Sequence, residues 1–79
     1  MTAFSKKELE WAKAAWQGCS LIVLRGGVGA VAYDPDKPPA TRWEGRLLKS
    51  AARPDDVWWT AHCEGRTRGE VKDILQSEV

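Results

Sequence analysis

The chain has almost no net charge, no long apolar run and few of the residues that usually carry chemistry. Lys and Arg number 12 and Asp and Glu 11 in 79 residues, which leaves +1. Bulk electrostatics therefore draw the protein neither to nucleic acid nor to an acidic membrane surface. The longest clear apolar run is Leu21-Ile22-Val23-Leu24, far short of the roughly 18 residues a membrane helix needs. Met1-Thr2-Ala3-Phe4-Ser5-Lys6-Lys7 is not followed by the apolar core of a signal peptide. The expected compartment is the cytoplasm, where Cys19 and Cys63 stay as thiols; the sequence does not settle whether they pair. Together with His62 they offer three soft ligands in no zinc spacing, so no metal or cofactor is expected. His62 has no nucleophile at a motif. On a strand the adjacent Cys63 points to the opposite face, so no catalytic residue is expected either.

What the chain does have is tryptophan, five of them: Trp11, Trp16, Trp43, Trp58 and Trp59. A single small domain can use one or two indoles well, since each buried N–H needs a partner. The others are expected at the rim of the core or on a contact surface, where Trp commonly anchors binding.

Ser5-Lys6-Lys7-Glu8 reads as a capping box opening a helix over Lys6–Gln17. Leu9, Ala12, Ala15 and Trp16 share its apolar face, Trp11 lies at the border, and Gly18 supplies the left-handed stop. A hairpin follows. Ser20–Arg25 and Val28–Tyr33 read as strands around a Gly26-Gly27 turn, pairing Leu24 with Gly29, Ile22 with Val31 and Leu21 with Ala32. The first strand is apolar on both faces and calls for cover on both. Arg25-Gly26-Gly27-Val28-Gly29 is a turn between strands and not a phosphate cradle, which needs a following helix. Asp34-Pro35-Asp36-Lys37-Pro38-Pro39 is a stiff loop.

Thr41–Arg53 alternates poorly as a strand. As a helix it opens on a second capping box, Thr41-Arg42-Trp43-Glu44, groups Trp43, Leu47, Leu48 and Ala51, and ends at Pro54. Gly45 argues against this by about 1 kcal/mol. The helical reading also lines up Arg42, Arg46, Lys49 and Arg53 in a basic outer stripe. Such a stripe is either a solvated face or a contact for phosphates or an acidic surface. After a turn at Asp55-Asp56, Val57–Cys63 reads as a strand. It separates Val57, Trp59, Ala61 and Cys63 from Trp58, Thr60 and His62. Thr67-Arg68-Gly69-Glu70 opens a last helix striped by Val71, Ile74 and Leu75.

The expected architecture is one α+β domain over residues 1–79. It has the order α-β-β-(α)-β-α, with a small three-stranded, mostly antiparallel sheet and two or three helices. At the level of class, the short length, surplus tryptophans, compact mixed fold and missing catalytic set resemble the small anti-defence proteins of phages and mobile elements, the anti-CRISPR proteins among them. That resemblance implies a non-catalytic inhibitor that binds a CRISPR effector or similar host complex stoichiometrically, inside the bacterial cell. The +1 charge disfavours acidic DNA mimicry. The expected protein-binding residues are Trp58, Trp59, Trp43, Arg42, Arg46, Lys49 and Arg53. The alternative is a nucleic-acid binder using Arg42, Arg46, Lys49, Arg53, Arg66 and Arg68. A homodimer is a further expectation, because helices this short have difficulty covering both sheet faces. Whichever of Trp58 and Trp59 is exposed would sit in its interface.

Overall fold

In the computed structural model, residues 4–79 are described. Residues 1–3, part of the N-terminal stretch read above, lie outside the described residues. The element order is α1 (Lys6–Ala15), β1 (Ser20–Leu24), β2 (Gly27–Tyr33), β3 (Trp43–Ser50), β4 (Trp58–Gly65) and α2 (Arg68–Glu78). One-turn 3-10 helices at Pro39–Thr41 and Pro54–Asp56 lead into β3 and β4. The α+β class is as expected. The sheet, however, has four antiparallel strands in the order β1-β2-β3-β4, with one helix on each side of it in sequence.

The added strand is β3, which replaces the helix expected over Thr41–Arg53. Its sequence resembles an amphipathic helix because both of its faces are covered. Leu47 packs into one core and the adjacent Leu48 into the other, and consecutive apolar residues are what a doubly covered strand requires. Gly45, the misfit in the helical reading, is the strand residue directly beneath Val71 of α2. A Cβ there would collide with Val71 and also meet Cys63 Sγ at 3.0 Å. Gly29 does the same under Leu75, whose Cδ1 would lie 2.9 Å from an added Cβ. These two glycines let α2 settle onto the sheet.

The hairpin register is also corrected. The turn is Arg25-Gly26 rather than Gly26-Gly27. The pairs are Leu24 with Gly27, Ile22 with Gly29 and Leu21 with Ala30. Gly26 takes φ +89° as the second turn residue, which frees Gly27 to begin β2. A register shift of two residues leaves every side chain on its expected face, since strand periodicity is two.

Two cores result. Helix α2 lies over all four strands and closes Ile22, Leu24, Val31 and Leu47 beneath Val71 and Leu75, with Trp43, Ala61 and Cys63 at the margin. Helix α1 covers part of the opposite face. Ala12 meets Val28, Leu48 and Ala51 there, flanked by Phe4, Leu9, Leu21, Val57 and Trp59. The first capping box forms as read: Ser5 Oγ accepts from the Glu8 N–H at 3.2 Å, and Glu8 Oε1 accepts from the Ser5 N–H at 3.0 Å. The helix ends at Ala15, two residues earlier than expected, and Gly18 follows at φ +85°. At α2 the Thr67 hydroxyl caps the Glu70 N–H at 3.1 Å. The Glu70 carboxylate reaches one residue further back than a capping box would, to the Arg66 N–H at 3.3 Å.

Strand β4 departs from simple alternation. Gly45 pairs with Cys63 but Leu47 pairs with Thr60, so β4 carries one extra residue there. Ala61 sits at φ +53° inside this bulge. The bulge moves Ala61 and Cys63 to the α2 side, while Trp59 stays in the α1 core. The expected single face of Val57, Trp59, Ala61 and Cys63 is therefore divided between the two layers.

Candidate interaction surface

The five tryptophans occupy distinct settings. Trp59 contributes to the α1-side core, and its ring meets that of Trp16 edge-on, centroids 6.0 Å apart at 73°. Trp43 packs at the margin of the α2-side core and tilts against Tyr33 with centroids 5.1 Å apart. Trp11 is half-buried on α1. Trp58 is the exposed one, at 59% of its surface, on the outer strand β4. The expectation that Trp58 and Trp59 face different surroundings therefore holds, and Trp58 is the outward member. Of the three indoles expected to bind, Trp43 and Trp59 are mainly packing residues.

The basic stripe does not form, because it needed helical spacing. Arg42 turns its Nε–H to the Lys37 carbonyl at 3.0 Å. The Arg46 guanidinium lies 4.1 Å above the Trp16 ring centroid and bonds Glu44 Oε1 through Nη2 at 3.4 Å. Its Nε is buried with no hydrogen-bond partner among the described residues, and stacking on an aromatic face accounts for much of its environment. Lys49 is exposed at the far end of β3, and Arg53 pairs with Asp56 at 2.9 Å. Arg66 and Arg68 are exposed at the turn into α2, apart from the others in the chain. The helical basic stripe used by the nucleic-acid alternative is therefore absent.

Beyond α1, strands β3 and β4 carry charged side chains. Glu44 and Glu64 stand directly opposite across β3 and β4, a like-charge pairing that costs energy unless compensated. Arg46 compensates Glu44, and Lys37 compensates Glu64 at 3.3 Å. Lys37, Glu44, His62, Cys63 and Glu64 line a shallow depression of about 360 Å³. His62 is exposed and makes no side-chain hydrogen bond among the described residues. Both cysteines are free. Burial pushes the Cys19 thiol above its ordinary range, against a backbone hydrogen bond and the charges of Lys13 and Arg46. Burial also raises Cys63; Glu44, Glu78 and Glu64 act in the same direction, against a hydrogen bond from the Gly45 backbone. A raised thiol pKa keeps the sulfur protonated and a poor nucleophile at neutral pH.

No described helix is long and apolar enough to cross a membrane. The chain forms a helix-flanked, four-stranded antiparallel meander with an exposed indole on one outer strand. No family model, curated protein or solved structure matches it.

Proposed function

We propose that the protein acts without catalysis, by stoichiometric binding to another protein, with Trp58 as the anchor of the contact. What carries this reading is the contrast within the Trp58-Trp59 pair: one indole packs into the core, and its neighbour stands 59% exposed on an outer strand. A large exposed indole on a well-supported strand is the kind of residue that dominates binding energy at protein interfaces. The class resemblance makes the partner a bacterial host-defence complex, a CRISPR effector in the first instance, and places the action in the host cytoplasm. The expected inhibitory effect is the blocking of access to that complex.

The reading is tested by capturing partners on the immobilised protein with and without nuclease, over a range of salt. A Trp58-centred contact persists after nuclease treatment and varies little with salt. A phosphate contact weakens steeply as salt rises. Loss of the captured complex on nuclease treatment would reject the proposal in favour of nucleic-acid binding.

A further inference from the structure

Strand β1 is an outer strand of the sheet, and all but one of its five residues, Ser20-Leu21-Ile22-Val23-Leu24, are apolar. The hairpin closes on the Leu24–Gly27 pair. In an antiparallel ladder alternate residues bond to the same neighbour, so Leu24, Ile22 and Ser20 bond inward to β2. Leu21 and Val23 then turn their N–H and C=O groups outward. Strand β4, the other outer strand, is interrupted by its bulge at Ala61. Strand β1 has no bulge, proline or charged residue, which are the usual means of keeping an edge from pairing. Val23 is also the most exposed large apolar side chain among the described residues, at 83%.

The open part of this edge is short, and its length selects the occupant. Arg25, next in the outward series, is already paired. Gln76 Oε1 accepts from its N–H at 2.9 Å, and Gln76 Nε2 donates to its carbonyl at 3.1 Å, as a neighbouring strand would. At the other end the Cys19 N–H donates to the Trp16 carbonyl at 3.2 Å. Among the described residues, only Leu21 and Val23 remain unpaired between these stops. A long foreign strand would have to displace Gln76. A second copy of the same window, turned by a two-fold axis at Ile22, begins its strand at Ser20, opposite Leu24, and so matches the window in length.

We propose that β1 pairs antiparallel with β1 of a second copy. In that register Leu21 faces Val23 of the partner subunit, and Val23 faces Leu21 of the partner subunit. The outward backbone groups of both windows are then satisfied together. Val23 comes to lie beside the partner subunit's Leu21, which already packs against the α1-side core, and is removed from water. The pairing is isologous, as a two-fold contact must be. It is smaller than the ~800 Å² per partner of a standard stable interface, so association is weak and concentration-dependent. It lies on the opposite edge from Trp58 and does not depend on the proposed function.

The test is amide hydrogen exchange read by NMR, together with sedimentation, over about a 100-fold range of protein concentration. The Leu21 and Val23 amides should slow by about 10-fold or more at the concentrated end, because pairing closes them. The average mass should rise from 8.8 kDa towards twice that value. Val23→Lys, a change at a solvent-facing side chain, should abolish both effects while leaving the circular dichroism and tryptophan emission unchanged. Concentration-independent exchange at Leu21 and Val23 would overturn the proposal. So would a dimer that survives Val23→Lys and dissociates with Trp58→Ala.

Discussion

Trp58 and Trp59 are neighbours in the chain with opposite surroundings, and they give the sharpest expectations at the scale of single residues. Trp58→Ala should change unfolding free energy by less than about 0.5 kcal/mol, because an exposed side chain loses little packing. Trp59→Ala removes a ring that packs on Trp16 and the α1-side core. It should cost about 2–3 kcal/mol, less than truncation of a fully buried indole; urea unfolding of the two variants checks both values. Arg46 is a second case. It was expected on an outer stripe but is stacked on Trp16 and bonded to Glu44. Arg46→Glu should therefore destabilise by about 1–2 kcal/mol through repulsion of Glu44 and loss of the stack, outside the range of ordinary surface changes. An unchanged urea midpoint would show that the stack contributes nothing. The thiols yield a pH expectation. Their folded pKa values are raised, so the stability from burying them neutral is complete below about pH 8.5 and falls as pH rises through the folded values. Thermal melts should show this alkaline loss, and Cys19→Ala with Cys63→Ala should flatten it.

Among the elements, the two helices were legible because their signals are local. Ser5 with Glu8, Gly18, Thr67 with Glu70, and the stripe of Val71 and Leu75 need only a few residues of context. Strand β3 was not legible because its signal is tertiary. Leu47 and Leu48 are both buried only because helices lie on opposite sides of the sheet, and covered strands lose the alternation by which strands are recognised. Gly45 was the one local hint, and its reason, contact with Val71, lies 26 residues away in the chain. The β4 bulge was equally invisible, since Ala61 carries no sequence mark of a left-handed backbone. It does provide a test. A β-branched residue at φ +53° is strained, so Ala61→Val should lose at least about 1 kcal/mol. Ala61→Gly should be neutral or stabilising, by up to about 1 kcal/mol. Equal stability of the Val and Gly variants would mean that the bulge backbone relaxes.

For the whole molecule, the cover expected on both faces of β1 is complete on one only: Ile22 and Leu24 are buried under α2, while Leu21 is half-buried and Val23 stands exposed on the other face. The answer is one helix across the full sheet and another across part of the opposite face. The class and the outer helices could be read from sequence; the number of strands and the fate of the basic residues could not, because both followed from β3. Converting that segment from helix to strand removes the stripe and leaves Trp58, the exposed indole, as the residue on which the proposed contact rests. The central claim is that this indole anchors a protein partner without supporting the fold. It is tested most directly by quantifying partner capture from nuclease-treated bacterial lysate on wild-type protein and on Trp58→Ala, with hydrogen-exchange spectra confirming that both are folded. The account predicts a specific, stoichiometric complex on the wild type that falls by about 30-fold or more in affinity on the variant, the scale of a hot-spot residue at ~2 kcal/mol or above. Capture of the same complex with unchanged affinity by the folded variant would contradict it.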